Sequence, residues 1–279
     1  MNASPRPTRF WTLTVLAGAT VLTYLFATAP APLDQGEDAR FTLSTSEALT
    51  LLAHENDVTR TLFTKAIVGG GKKQGLRFDE NWAEEDVVAG PLPALFLRGV
   101  ADELSRSEVP LRLFLGSDCP IEKSNEFTGM QAEIFAAMRQ DTAAHHFQDP
   151  ATGEFVSMFP DMASAGPCVS CHNDHAKTSK TDWQLGDIMG ATTWAYPKDS
   201  VTTDQFMAML SAYRSGVEVV WSKYLEELED LAPEAQPTIG SCWPSKGLCL
   251  PSHAVLRDSI DDLAGPKLMA ELTQRTTTP

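Results

Sequence analysis

Apolar and polar positions along the chain fall into one long uncharged run and then a series of short periodic segments. The run is Phe10 to Ala29, twenty residues without a charge. As a helix it spans about 30 Å, the thickness of a bilayer core. Arg6 and Arg9 precede it and Asp34, Glu37 and Asp38 follow. That asymmetry predicts an N-terminal tail (1–9) inside, an anchor (10–29) and an exported body. A cleaved signal segment is the alternative, giving a periplasmic or secreted body. Its apolar core is usually shorter, about 7–15 residues, and Pro30 after Ala27-Thr28-Ala29 hinders cleavage. Residues 30–43, rich in Pro and Ala and then acidic, read as a linker.

Downstream the period changes. Ser44 and Glu47 fit a capping box, and Leu49, Leu52, Ala53, Leu62, Phe63, Ala66 and Ile67 form a helical stripe to about Val68, where Gly69-Gly70-Gly71 predicts a stop. Pro93 to Arg106 reads as a second helix. Leu111, Leu113 and Leu115 alternate as in a strand. Glu126 to Gln140 reads as a third helix, with Phe127, Met130, Ile134, Ala137 and Met138 on one side. His146–Gln148 and Glu154–Phe159 flank a turn at Asp149–Gly153, a hairpin. Gly190–Tyr196 is β-branched and aromatic and ends at Pro197, a strand. Thr203 to Leu231 is a long amphipathic helix. These signals predict an α+β domain over 44–200, a helix over 201–232, and a tail over 233–279 with one or two short helices and little core.

Composition narrows the function. Of 279 residues 43% are hydrophobic and 21% charged, enough for a core. The net charge is −15 with no basic stripe, which disfavours nucleic acid. Gly69-Gly70-Gly71-Lys72-Lys73 lacks the Ser or Thr, the preceding strand and the cytoplasmic address of a phosphate loop. The lysines could instead meet an acidic group on a cofactor.

The chemistry lies in Cys168-Val169-Ser170-Cys171-His172, the attachment signature of c-type haem. Two thiols at this spacing form thioethers to the two vinyl groups, and the next residue gives the iron its proximal nitrogen. A zinc ribbon needs a second CxxC. A thioredoxin-type pair sits at the start of a helix in a βαβ unit, whereas Gly166-Pro167 precedes this motif. One motif implies one covalent haem c. For the distal ligand, Met158 and His54 are the preferred candidates. His145, His146, Met130, Met162, His175 and Cys119 are the others, and an open position for a gas is the alternative. Cys242 and Cys249, flanking Pro244 and Gly247, suit a disulfide in an oxidising compartment.

The chain resembles a bacterial family of exported PAS-like domains that bind one c-type haem. The resemblance covers 45–200 and rests on Lys65-Ala66-Ile67-Val68, Pro93-Ala94-Leu95-Phe96-Leu97, Leu113-Phe114-Leu115-Gly116-Ser117 with Pro120 and Asn125, Cys168–Asn173, and Asp182–Ala191 running into Thr192–Pro197. It implies an antiparallel sheet wrapped by helices, with the haem in a pocket at one side. Some relatives carry a cysteine near the end of the first helix as second iron ligand. Val68-Gly69 stands there in this chain, so that ligand does not carry over.

Three roles follow. The first is a membrane-anchored haem module sensing redox state or a gas; the nine residues before the span are too few for an output domain, so a partner protein would read it. The second is an electron carrier in an exported redox complex. The third, a peroxidase-like enzyme, asks for a distal acid/base and a cation such as Arg98, Arg112 or Arg139.

Overall fold

The computed structural model describes residues 42–244 and 247–276. The expected tail, anchor and most of the linker lie outside the described residues. Among those described, no helix is long and apolar enough to cross a membrane.

The chain enters through β1 (Thr42–Ser44) and turns into α1 (Thr45–Leu62). Ser44 accepts from the Glu47 N–H and the Glu47 carboxylate accepts from the Ser44 N–H at 2.9 Å, the predicted capping box. The helix does not stop at the glycines. It loosens into a π-helical segment, Phe63–Val68, and continues as α2 (Gly69–Lys73). Each glycine costs a helix roughly 1 kcal/mol, but here packing decides. A Cβ on Gly71 would lie 3.0 Å from the Phe78 ring and 3.1 Å from Leu76, so these buried side chains pack closer to glycine than they could to a larger residue without shifting. The stop is Gly75, at φ 95°, which closes the helix through its N–H to Lys72 O.

Short strands β2 (Phe78–Asp79) and β3 (Gly90–Pro91) lead to α3 (Pro93–Arg106), β4 (Arg112–Gly116) and α4 (Gly129–Asp141). The helix α4 starts later than expected, and Phe135 with Met138 forms its buried side while Ala137 is exposed. The hairpin β5 (His145–Gln148) and β6 (Phe155–Met162) follows, then α5 (Gly166–Asp174), β7 (Ile188–Tyr196), β8 (Ser200–Thr202) and α6 (Thr203–Glu227). The tail holds β9 (Thr238–Ile239), β10 (Cys249–Leu250) and α7 (His253–Thr276).

The main sheet is antiparallel, in the order β4-β7-β6-β5. Every residue of β7 is buried, as a central strand covered on both faces demands. On one face Leu113 and Trp194 join the large core made with α1, α3, α6 and α7. On the other, Met158, Ile188 and Ala191 pack with Phe127, Phe135 and Met138. The molecule is therefore α+β, as the sequence pattern predicts.

The tail departs from expectation. Instead of one or two short helices it forms a helix of 24 residues, and Trp243, Leu250, Leu256 and Ile260 belong to the main core. Pro266 lies inside α7 on its exposed side, where the carbonyl it leaves unpaired reaches water. Cys242 and Cys249 are joined in a disulfide, with Cα atoms 6.1 Å apart.

Candidate functional site

The motif lies on α5, inside the connection between neighbouring strands β6 and β7. Gly166 and Pro167 do not separate it from a helix start, as the sequence suggests. Pro167 occupies the first turn, where its missing N–H costs nothing. The exclusion of a thioredoxin-type pair rests instead on topology, since β6 and β7 are antiparallel and no βαβ unit exists here.

Helical spacing sets the geometry. Cys168 and Cys171 are three residues apart, Cys168 and His172 four, so both thiols and the imidazole share one side. Cys119, Cys168 and Cys171 carry no disulfide. No residue of α5 is fully buried, so the helix has no apolar anchor of its own. Cys168 and Val169 pack partly against Ala163, Trp183 and Met189, as does Cys119.

The strand after the motif, β7, is bulged where it pairs with β6. Asp161 pairs with Gly190 and Met162 with Ile188, leaving Met189 extra. A Cβ on Gly190 would meet the Gly116 carbonyl oxygen at 2.5 Å, so this end of the central strand needs glycine. Beside the bulge, Asp161 forms an ion pair with Arg60 that ties α1 to β6. Asp161 also acts electrostatically on His172. Burial lowers the His172 pKa, Asp161 opposes that, and His175 reinforces it, which favours the neutral imidazole that ligates iron. For Cys171, partial burial of the thiol and the Glu80 carboxylate raise its pKa, while Lys72 opposes them. His175 bonds Glu80 at 3.0 Å and accepts from the Lys177 N–H.

Asn173 closes the motif helix. Its amide donates to Trp183 O at 3.1 Å and accepts from the Trp183 N–H at 2.9 Å. Trp183 lies under Arg139 and Lys180, 5.4 and 4.7 Å from its ring. Its indole N–H is buried without a hydrogen-bond partner.

The preferred distal candidates lie in other surroundings. Met158 is fully buried in the α4 cluster. His54 faces α7, with Lys267 in electrostatic reach, and its Nε2 is buried without a partner. His145 bonds Asp141, and His146 bonds Ser157 at 2.8 Å. Of the expected ligands, Cys119 shares a cluster with Cys168. Arg112 and Arg139 are ion-paired with Glu154 and Asp118. Sequence reading missed the roles of Arg60, Asp161, Glu80 and Asn173. Arg60 and Asp161 are paired across 101 positions, and no local pattern marks such a pair.

The residues fit a haem. Unpaired thiols, an imidazole whose pKa burial lowers, and an unused buried indole donor gather around α5. Among the described residues no group of three or more His, Cys, Asp or Glu is placed to hold a metal ion alone. Iron in a porphyrin asks less of the protein, one proximal ligand sufficing. Two clefts lie elsewhere, one between α1, α6 and α7 and one beside β1, α1 and α7.

The protein is thus an α+β domain with a bulged antiparallel sheet and a cysteine- and histidine-bearing helix between its central strands. The chain belongs to the Tll0287-like family, whose model matches residues 34–197, more than half of its length. No curated protein and no solved structure matches it.

Proposed function

We propose that this chain is an exported monohaem c-type protein that passes the redox or ligand state of its iron to a partner. Cys168 and Cys171 hold the porphyrin through thioethers, and His172 is the proximal ligand. The observation that carries the reading is α5, with two unpaired thiols one turn apart and an imidazole on the same side. When bound, the haem supplies an iron that changes oxidation state and takes small gas ligands. The antiparallel sheet with helices on both faces supports the PAS-like expectation. The disulfide supports an exported address, and Phe10–Ala29 is the proposed anchor in the inner membrane.

Met158 lies in the α4 cluster and His54 faces α7, which supports a sensing role with a gas in the second axial place; Cys119, packed on the same cluster as Cys168, is the competing protein ligand. The exposure of Cys171 favours electron transfer as the second reading, because a porphyrin tethered there has an edge within reach of a redox partner.

One experiment tests both. The protein is matured in a host with c-haem machinery, then weighed and examined oxidised, reduced and under CO. We expect one added haem, lost in Cys168→Ala/Cys171→Ala, and a CO-shifted ferrous spectrum. A polypeptide with no added mass sinks the haem assignment. A CO-inert low-spin spectrum turns the role to electron transfer. If neither Met158→Ala nor His54→Ala alters the ferric or ferrous spectrum, neither residue is the distal ligand.

A further inference from the structure

The helix α5 buries none of its residues completely, yet its histidine must be held at a fixed angle to serve iron. Something outside the helix must orient it. Two fastenings do so, and both end on the same loop. Before the helix, the Ala163 N–H donates to Asp187 O at 2.8 Å and the Gly186 N–H donates to Ala163 O at 3.0 Å. After His172, Asn173 bonds both backbone groups of Trp183. The receiving loop is itself stiff. Trp183 is 2% exposed and flanked by two cations, and the Gln184 N–H is bound by Asp187 Oδ2 at 2.8 Å.

Resting on the haem assignment above, we infer that Asn173 is the positioning residue of the proximal ligand: its two-way bond to the Trp183 backbone fixes the end of α5, and so the orientation of the His172 ring. A side-chain amide is the group that does this, because it donates and accepts along one line as a strand neighbour does. Alanine loses both bonds. Aspartate accepts from the Trp183 N–H but gives nothing to the Trp183 carbonyl. Outer partners of this kind alter metal affinity or activity by about 10–100-fold when removed. Covalent attachment, which depends on the cysteines, survives.

The test compares wild type, Asn173→Ala and Asn173→Asp after maturation in the same host. Intact mass reports haem attachment, and proton NMR of the ferric protein reports the His172 ring through its paramagnetically shifted signals. We expect full attachment in all three. Wild type should give one set of ring signals. Asn173→Ala should give shifted or multiple sets, and Asn173→Asp a smaller change of the same kind. If the alanine variant does not accumulate, the aspartate variant carries the comparison alone. Ring signals identical to wild type in a fully attached variant overturn the inference, whatever the change in melting temperature. A wild type without added mass overturns the haem reading instead, and the two failures are told apart by that first measurement.

Discussion

At the scale of single residues, the costliest group in the core is Glu55. It is 2% exposed and bound by Arg214 through Nε at 2.6 Å and Nη2 at 3.0 Å. Arg214 also reaches Asp261 at 2.7 Å, so one guanidinium joins α1, α6 and α7. The two ends of this bridge are unequal. Removing Arg214 leaves a buried carboxylate without its cation, a loss of about 3–5 kcal/mol. Removing the Glu55 charge leaves a half-exposed guanidinium that still has Asp261. Urea unfolding should therefore find Arg214→Met several times more damaging than Glu55→Gln; equal losses would contradict the asymmetry. Nothing in the local sequence marks Glu55 as buried, because its cation is 159 residues away. The Cys168, Cys171 and His172 motif, by contrast, is contiguous, so its residues share one helix whatever the rest of the chain does.

Elements were legible where the signal is local. Both long helices that begin at a short strand carry capping boxes, Ser44 with Glu47 and Thr202 with Gln205. Ser44→Ala and Thr202→Ala should each cost about 1 kcal/mol in chemical denaturation. A null effect at both would mean that β1–β8 pairing, rather than the caps, fixes these helix starts. The alternation of β4 and the hairpin β5–β6 were equally readable from period two. The run Gly69–Gly71 was not, because the helix continues there on contacts with Leu76 and Phe78 that form after the chain turns back. The helix α7 was hidden by Pro266, whose penalty falls on an exposed carbonyl.

For the whole molecule, acid should be the weak side. Burial and the His145 charge lower the His146 pKa from 6.5. The unfolded chain then binds a proton that the folded chain refuses, so stability falls as pH drops below 6.5. The carboxyls of Asp79 and Glu103 are also depressed, by the Asn81 N–H and by Lys223. Their contribution is present above the ordinary carboxylate range and is lost as pH falls through their folded pKa, which is the same sign. Relief of repulsion among the net −15 charges acts the other way, but it is screened beyond about 8 Å at physiological salt. Urea midpoints at 0.15 M salt should stay level from pH 8 to 7 and decline from 6.5 to 5.5. His146→Gln should flatten the first part of that decline. A midpoint that rises on acidification would show self-repulsion in command.

The excursion that bears the cysteines leaves β6 and returns to β7, and those two strands are hydrogen-bonded neighbours. Ladder closure thus requires nothing from the intervening segment. The sheet can therefore close first and leave the thiols of Cys168 and Cys171 on an outlying arm, so that chemistry at those sulfurs is separable from assembly of the scaffold.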